Sequence, residues 1–404
     1  MRAPVTATLL GLLSCAHSPA QLDVRALRAE GPEGLAGLLT KYDAASPEQQ
    51  LALVDAISKV AGQRDAHVSR LYWYEDLDAA LARSKATGKP VLSLRMLGRL
   101  DEELSCANSR FFRTTLYANA SVSKYLRDNY VLHWSSERPV PVATIDFGDG
   151  RKVTRTVTGN SIHYVLDADG FVVDALPGLY GAVDFVTRLE RARPQATKSP
   201  AQRKRWHESE VQLALASFNA AMQKAGQPRA FTLPSLPGVD ADVVWPSSRA
   251  AVPIAMGKAM VEAPMIERLV PGDAGTGLVD PTPWAQLASI SGARLDESAR
   301  ATVLSKNPVD VTSTKVPTLS PSLARQLVAN LETAIAIDTA RNEYALHPVI
   351  HRWLIEKPDV SMKALNREVY ARLFLTPASD PWLGLVPQLT WTGLPNDGIE
   401  VTAR

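Results

Sequence analysis

The chain has only two cysteines in 404 residues, Cys15 and Cys106. A disulfide framework is therefore excluded, and so is any Cys-x-x-Cys metal or redox pair. It also lacks a long apolar run. No segment approaches the roughly 20 consecutive apolar residues that a spanning helix needs. Charge of one sign is missing as well: 44 Lys plus Arg stand against 42 Asp plus Glu. No global field would draw the protein to nucleic acid or to anionic lipid. The basic run Lys198, Arg203, Lys204 and Arg205 is interrupted by Ser199, Pro200 and Gln202 and reads as a solvated linker or helix start. No phosphate-binding loop, dinucleotide fingerprint, haem Cys-x-x-Cys-His or calcium loop is present, so no cofactor is expected.

What is present begins at the first residues. Met1-Arg2 is a small positive region, Ala3 to Leu13 is apolar but too short to span, and Leu12-Leu13-Ser14-Cys15 closes it. The last four residues resemble a lipobox, which implies cleavage before Cys15 and a lipid on its thiol. The expectation is an exported, membrane-anchored lipoprotein of the bacterial cell envelope, on the periplasmic face. An ordinary cleaved secretory signal is the alternative. One acyl chain binds membranes marginally and two or more hold firmly, so a lipidated Cys15 would be a stable anchor.

Residues 22–70 read as a helical segment, with Leu35, Leu38, Leu39, Leu51, Val54, Ile57 and Val60 at helical spacing and Ser46-Pro47-Glu48 as a start signal. A helix over 76–87 ends at Gly88, and Pro90 to Arg95 suits a buried strand. Residues 110–127 read as one helix and Tyr130 to Trp134 as a second strand. Gly148-Asp149-Gly150 and Asp167-Ala-Asp-Gly170 each sit between strand-like runs and predict two hairpins. A helix over 182–193 closes the unit. This order predicts a small mixed α/β sheet with helices on its faces. Beyond a linker at 194–199, helical periodicity over 201–225, 249–270, 295–305, 320–346 and 361–375 predicts a mainly α-helical domain over 201–404. Pro377 to Arg404 reads as ordered loop.

Within 71–193 the passage Trp73 to Ala82, then Ala86-Thr-Gly-Lys-Pro-Val-Leu92, resembles thioredoxin-like proteins in which a helix feeds the first core strand. Asn119 to Val131 and Ile162 to Val173 are similar to that family's later helix and closing hairpin. The resemblance covers under a third of the chain. It implies a redox cysteine at a helix start, but Cys106-Ala107-Asn108-Ser109 has a serine where the resolving cysteine belongs. The position of the family's cis-proline falls on Ser161, where a cis bond would cost about 3 kcal/mol and a trans bond is expected.

Cys106 then allows monothiol chemistry alone: thiol capture, exchange with an envelope protein or a low-molecular-weight thiol, or sulfenic acid formation. A helix start and nearby Arg99, Arg110 and Arg113 would favour the thiolate. The competing reading is a buried, inert Cys106 with Asn108 and Ser109 as helix caps, in a binding or scaffolding lipoprotein that uses the fold as a platform. Glu343, His347 and His351 recur every four residues, but Pro348 argues against one continuous helix, and no metal is expected. Ser121-Val-Ser-Lys124 matches a penicillin-binding pattern without its companion motifs. The aromatic residues Trp353, Tyr370, Phe374, Trp382 and Trp391 read as core or loop anchors before they read as a cleft. If lipid on Cys15 is the anchor, Cys15→Ala releases the protein from the membrane fraction, whereas membrane retention of the variant would exclude it.

Overall fold

The computed structural model describes residues 22–226, 281–306, 319–386 and 393–400. Cys15, the helix expected over 249–270 and Trp391 lie outside the described residues. No described helix is long and apolar enough to cross a membrane.

The first described residues form four helices: α1 (Val24–Ala29), α2 (Pro32–Asp43), α3 (Pro47–Ala61) and the one-turn α4 (Ala66–Ser69). Ser46 caps α3 in a reciprocal box with Gln49, and Gly62 ends it at φ 67°. Leu35, Leu38, Leu39, Ile57, Val60 and Ala61 make a small core of their own. Polar bonds tie this layer to the sheet. Arg28 donates to the carbonyls of Val60 (2.8 Å) and Trp73 (2.7 Å), Trp73 Nε1 to Gln63 Oε1 (2.8 Å), and Trp134 Nε1 to the Gly62 carbonyl (2.8 Å).

Five strands form one mixed sheet: β1 (Trp73–Tyr74), β2 (Val91–Leu97), β3 (Val131–Arg138), β6 (Ile162–Leu166) and β7 (Val172–Pro177). Their order is β1-β3-β2-β6-β7. β1 and β2 run parallel to β3, β6 is antiparallel to β2, and β7 is antiparallel to β6. Helix α5 (Leu77–Thr87), capped by Asp76 and ended by Gly88, leads from β1 to β2. Every residue of β6 and β7 is buried. Helices lie on both faces, so these strands read as apolar runs rather than alternating ones. The first hairpin departs from the expectation of a single sheet. Its strands β4 (Val142–Asp146) and β5 (Lys152–Thr156) pair only with each other. They are largely exposed and have no continuous apolar face to bury.

The helix expected over 110–127 is split. α6 (Ala107–Phe111) passes into a π turn at Phe112–Leu116, and α7 (Ala120–Asn129) restarts behind the cap of Asn119. α8 (Ala182–Ala192) closes the unit, and α9 (Pro200–Lys224) starts from a second capping box, Ser199 with Gln202. The basic run is only partly solvated, because Arg203 is buried and pairs with Asp167 at 2.9 Å. The later helices are α10 (Pro281–Ser291), α11 (Glu297–Lys306), α12 (Pro321–Arg341), α13 (His347–Glu356) and α14 (Met362–Glu368). Pro348 does not interrupt the chain's helical course. A π turn at Asn342–Leu346 joins α12 to α13, and Pro348 sits in the first turn of α13, where its missing N–H needs no partner. The stretch after Pro377 carries one 3₁₀ turn, Pro395–Gly398.

One apolar core runs from Leu71 and the strands through Ala299, Ile335, Ile350, Trp353, Val369 and Phe374. Helices α11 to α14 thus share a core with the sheet, while α10 packs in a separate cluster with α9. Trp353, Tyr370 and Phe374 are core residues, while Trp382 is partly exposed.

Buried histidines make this core sensitive to acid. His133, on β3 and bonded through Nδ1 to Ser93 Oγ (2.8 Å), is held down to about 4 by burial and then by the Arg95 guanidinium. It is neutral when folded and takes a proton near pH 6.5 when unfolded. Its contribution is complete above pH 6.5 and is lost as the pH falls from 6.5 toward 4. Urea unfolding across that window should cost the wild type roughly 1.4 kcal/mol per pH unit more than His133→Asn. Parallel losses in the two proteins would exclude it.

Candidate functional site

Cys106 follows the loop that leaves β2 and is the N-cap of α6. Its N–H donates to the Leu97 carbonyl at 3.1 Å, which ties it to the end of the strand. Its side chain is 0 % exposed. Facing it is the segment Thr158-Gly159-Asn160-Ser161, which enters β6. Cys106 Sγ lies 3.1 Å from Ser161 Oγ, so the two positions paired by the sequence comparison do meet. No cis peptide occurs among the described residues. Ser109 does not face the sulfur. Its hydroxyl donates to the Cys106 carbonyl (2.8 Å), closing the first turn, and lies 2.6 Å from the Ser105 hydroxyl.

The facing segment is conformationally costly. Thr158 has φ 58°, a region that β-branched residues avoid, and its buried Oγ1 has no hydrogen-bond partner. Gly159 follows at φ 88°, and a Cβ there would lie 3.2 Å from both Cys106 Cβ and Leu97 Cδ2. Glycine permits both the turn and the close approach. From the other side, Tyr370 in the π turn Val369–Leu373 donates its hydroxyl to the Asn160 carbonyl at 2.9 Å, and Tyr164 donates to Asn366 Oδ1 at 3.1 Å. The far end of the chain therefore covers the cysteine.

Of the cations expected to activate the thiol, Arg99 and Arg113 face carboxylates. Arg99 pairs with Asp101 (2.8 Å) and Glu75 (3.1 Å) and lies over the Trp134 ring. Arg113 is buried and directed at Asp65 and Glu103. Of the Ser-x-x-Lys match, Lys124 pairs with Asp128 on the surface of α7.

A second buried cluster joins Asp174 of β7 to helices α13 and α9. His347 Nε2 lies 2.8 Å from Asp174 Oδ1, and His351 Nδ1 lies 3.8 Å from the same oxygen. His207 Nδ1 is 2.8 Å from His351 Nδ1. Asp174 is 1 % exposed and each histidine 2 %. Burial holds His347 down to about 3 and His207 to about 4, and pushes His351 the same way. Glu343, the third member of the four-residue pattern, does not join them and pairs with Arg188.

No protein-family model, curated protein or solved structure matches the chain.

Asp174 and His207 were not singled out by sequence reading, although each left a signal. An aspartate inside Val172-Val173-Asp174-Ala175-Leu176 is unexpected in a strand buried on both faces. His207 lies on the inward stripe of α9 with Arg203, Glu210 and Val211. What no spacing rule shows is that they meet His347 and His351.

A cavity of about 480 Å³ opens between α2, α5 and the β1–β3 edge. Leu35, Leu39 and Tyr72 give it an apolar wall, and Lys89 and Arg127 a basic one.

Gly159→Ala is expected to cost about 1–3 kcal/mol, since the added methyl meets both an unfavourable φ and the Cys106 side chain. It should also expose the thiol to alkylating reagents in the native state. Unchanged stability and unchanged thiol reactivity would contradict the close-approach reading.

Proposed function

We propose that the chain is a cell-envelope lipoprotein, held by lipid on Cys15, whose thioredoxin-like sheet is a platform for binding or scaffolding and not a dithiol catalyst. The observation that carries this reading is the closure of Cys106: 0 % exposed, against Ser161, beneath Tyr370. Three features support a thioredoxin-like sheet. The strand order is β1-β3-β2-β6-β7, the cysteine follows β2 at a helix start, and Ser161 stands opposite it just before β6. The absence of a resolving thiol adds to the case against turnover, because the Ser109 hydroxyl cannot release a mixed disulfide. The cavity beside β1 offers a partner an apolar wall edged by cations, the surface by which a scaffold would engage an acidic or carboxylate-bearing segment.

One observation favours a second reading. Cys106 and Ser161 do face each other across a strained loop, the arrangement that a monothiol exchange protein would need once the helical cover lifts. Alkylation separates the two. Under native conditions Cys106 should react roughly 100-fold or more slowly than in denaturant, because reaction waits on opening of the core. Wild type and Cys106→Ser should also capture the same envelope partners. Rapid native alkylation, together with covalent partners trapped only by the wild type, would establish the exchange reading instead.

A further inference from the structure

We propose that Asp174, His347 and His351 hold a single zinc ion that fastens strand β7 to helix α13, with His207 of α9 packed beside them. The donors come from two separate elements, β7 and α13, and converge at one buried point. Asp174, His347 and His351 each offer an atom within 4.8 Å of the others, and His207 Nδ1 reaches 2.8 Å from His351 Nδ1. Two ligands on one tetrahedral zinc, each bonded at about 2.0–2.1 Å, stand about 3.3 Å apart. The observed separations of 2.8 and 3.8 Å bracket that value, so small ring rotations would bring the set onto an ion.

Charge is the second argument. Asp174 is a carboxylate in the interior of a fully buried strand, and among the described residues no lysine or arginine lies within ion-pair distance of it. Its Oδ1 accepts from the Ala175 N–H (2.8 Å) and faces His347. A buried carboxylate without a cation costs several kcal/mol. The nearest ion pairs do not relieve it: Arg188 is shared between Glu210 and Glu343, and Arg191 also goes to Glu210. That outer network sits one turn along α9 and α13, with Glu210 three residues after His207 and Glu343 four before His347, and it would hold the two helices in register beside the ion.

Two imidazoles with one carboxylate and no thiolate suit a borderline divalent ion such as zinc. The near-complete burial of all three donors points to a structural role for it. The π turn at Asn342–Leu346 has a part in this. By carrying the helix through Pro348 it keeps His347 and His351 one turn apart on the face that meets β7.

The test uses the full chain, expressed and refolded with zinc, with metal content measured after gel filtration. About one zinc per chain is expected. Stripping with a chelator should lower Tm, and zinc at a hundredfold excess over Kd should raise it again by about 3–4 °C. Cobalt(II) in place of zinc should give the strong visible absorption of a four-coordinate site. Asp174→Asn and His351→Asn should each lose the cobalt spectrum and the zinc-dependent rise in Tm. A wild-type chain without stoichiometric zinc, whose Tm ignores zinc and chelator alike, would overturn the assignment. So would a cobalt spectrum that survives in both variants. Should either variant fail to fold, the wild-type metal content and chelator response still decide.

Discussion

The constraint on which the rest depends is that the strands β6 and β7 have no face left for water. Once helices cover both sides of a sheet, every side chain along these strands must be apolar or find an internal partner. The long helices after α9 supply the second cover, and the same apolar core runs through sheet and helices without a break. Both candidate sites follow from this. Cys106 lies at the end of β2 under Tyr370, and Asp174 points from β7 into the helices that cover it.

At Cys106 the covering decides the chemistry. A sulfur at a helix start opposite a strained loop has the setting of a reactive thiol, yet reactivity also needs access and a cationic neighbour. Access is closed by the π turn that carries Tyr370, and Arg99 is turned toward Asp101 and Glu75. The strain at Thr158 and Gly159 therefore serves close packing in this conformation. At Asp174 the covering has the opposite consequence. It collects polar side chains that are distant along the chain and leaves one carboxylate in need of positive charge.

Local features were legible wherever local physics decides them. Asp76 and Gly88 bound α5, Ser46 with Gln49 starts α3, and Asp167 to Gly170 turns the chain between β6 and β7, each through hydrogen bonds made within a few residues. The split at Phe112–Leu116 was not legible, nor was the continuity across Pro348. In both, π turns adjust the helix to its packing, and periodicity does not record that adjustment. The first hairpin was legible as a hairpin but not as a ribbon outside the main sheet, because pairing partners are chosen by burial and not by turn chemistry.

The sequence by itself determined the turns, the buried strands, the caps at Ser46 and Gly88 and the missing resolving thiol, since each depends on residue type and short-range geometry. Only the tertiary structure decided that Cys106 is sealed against Ser161 and that Asp174, His347 and His351 meet at one point, with His207 against His351. Those residues are separated by up to 177 positions along the chain, Asp174 to His351. Contacts across such separations are set by how helices pack on the sheet, and side-chain spacing within one element carries no information about them.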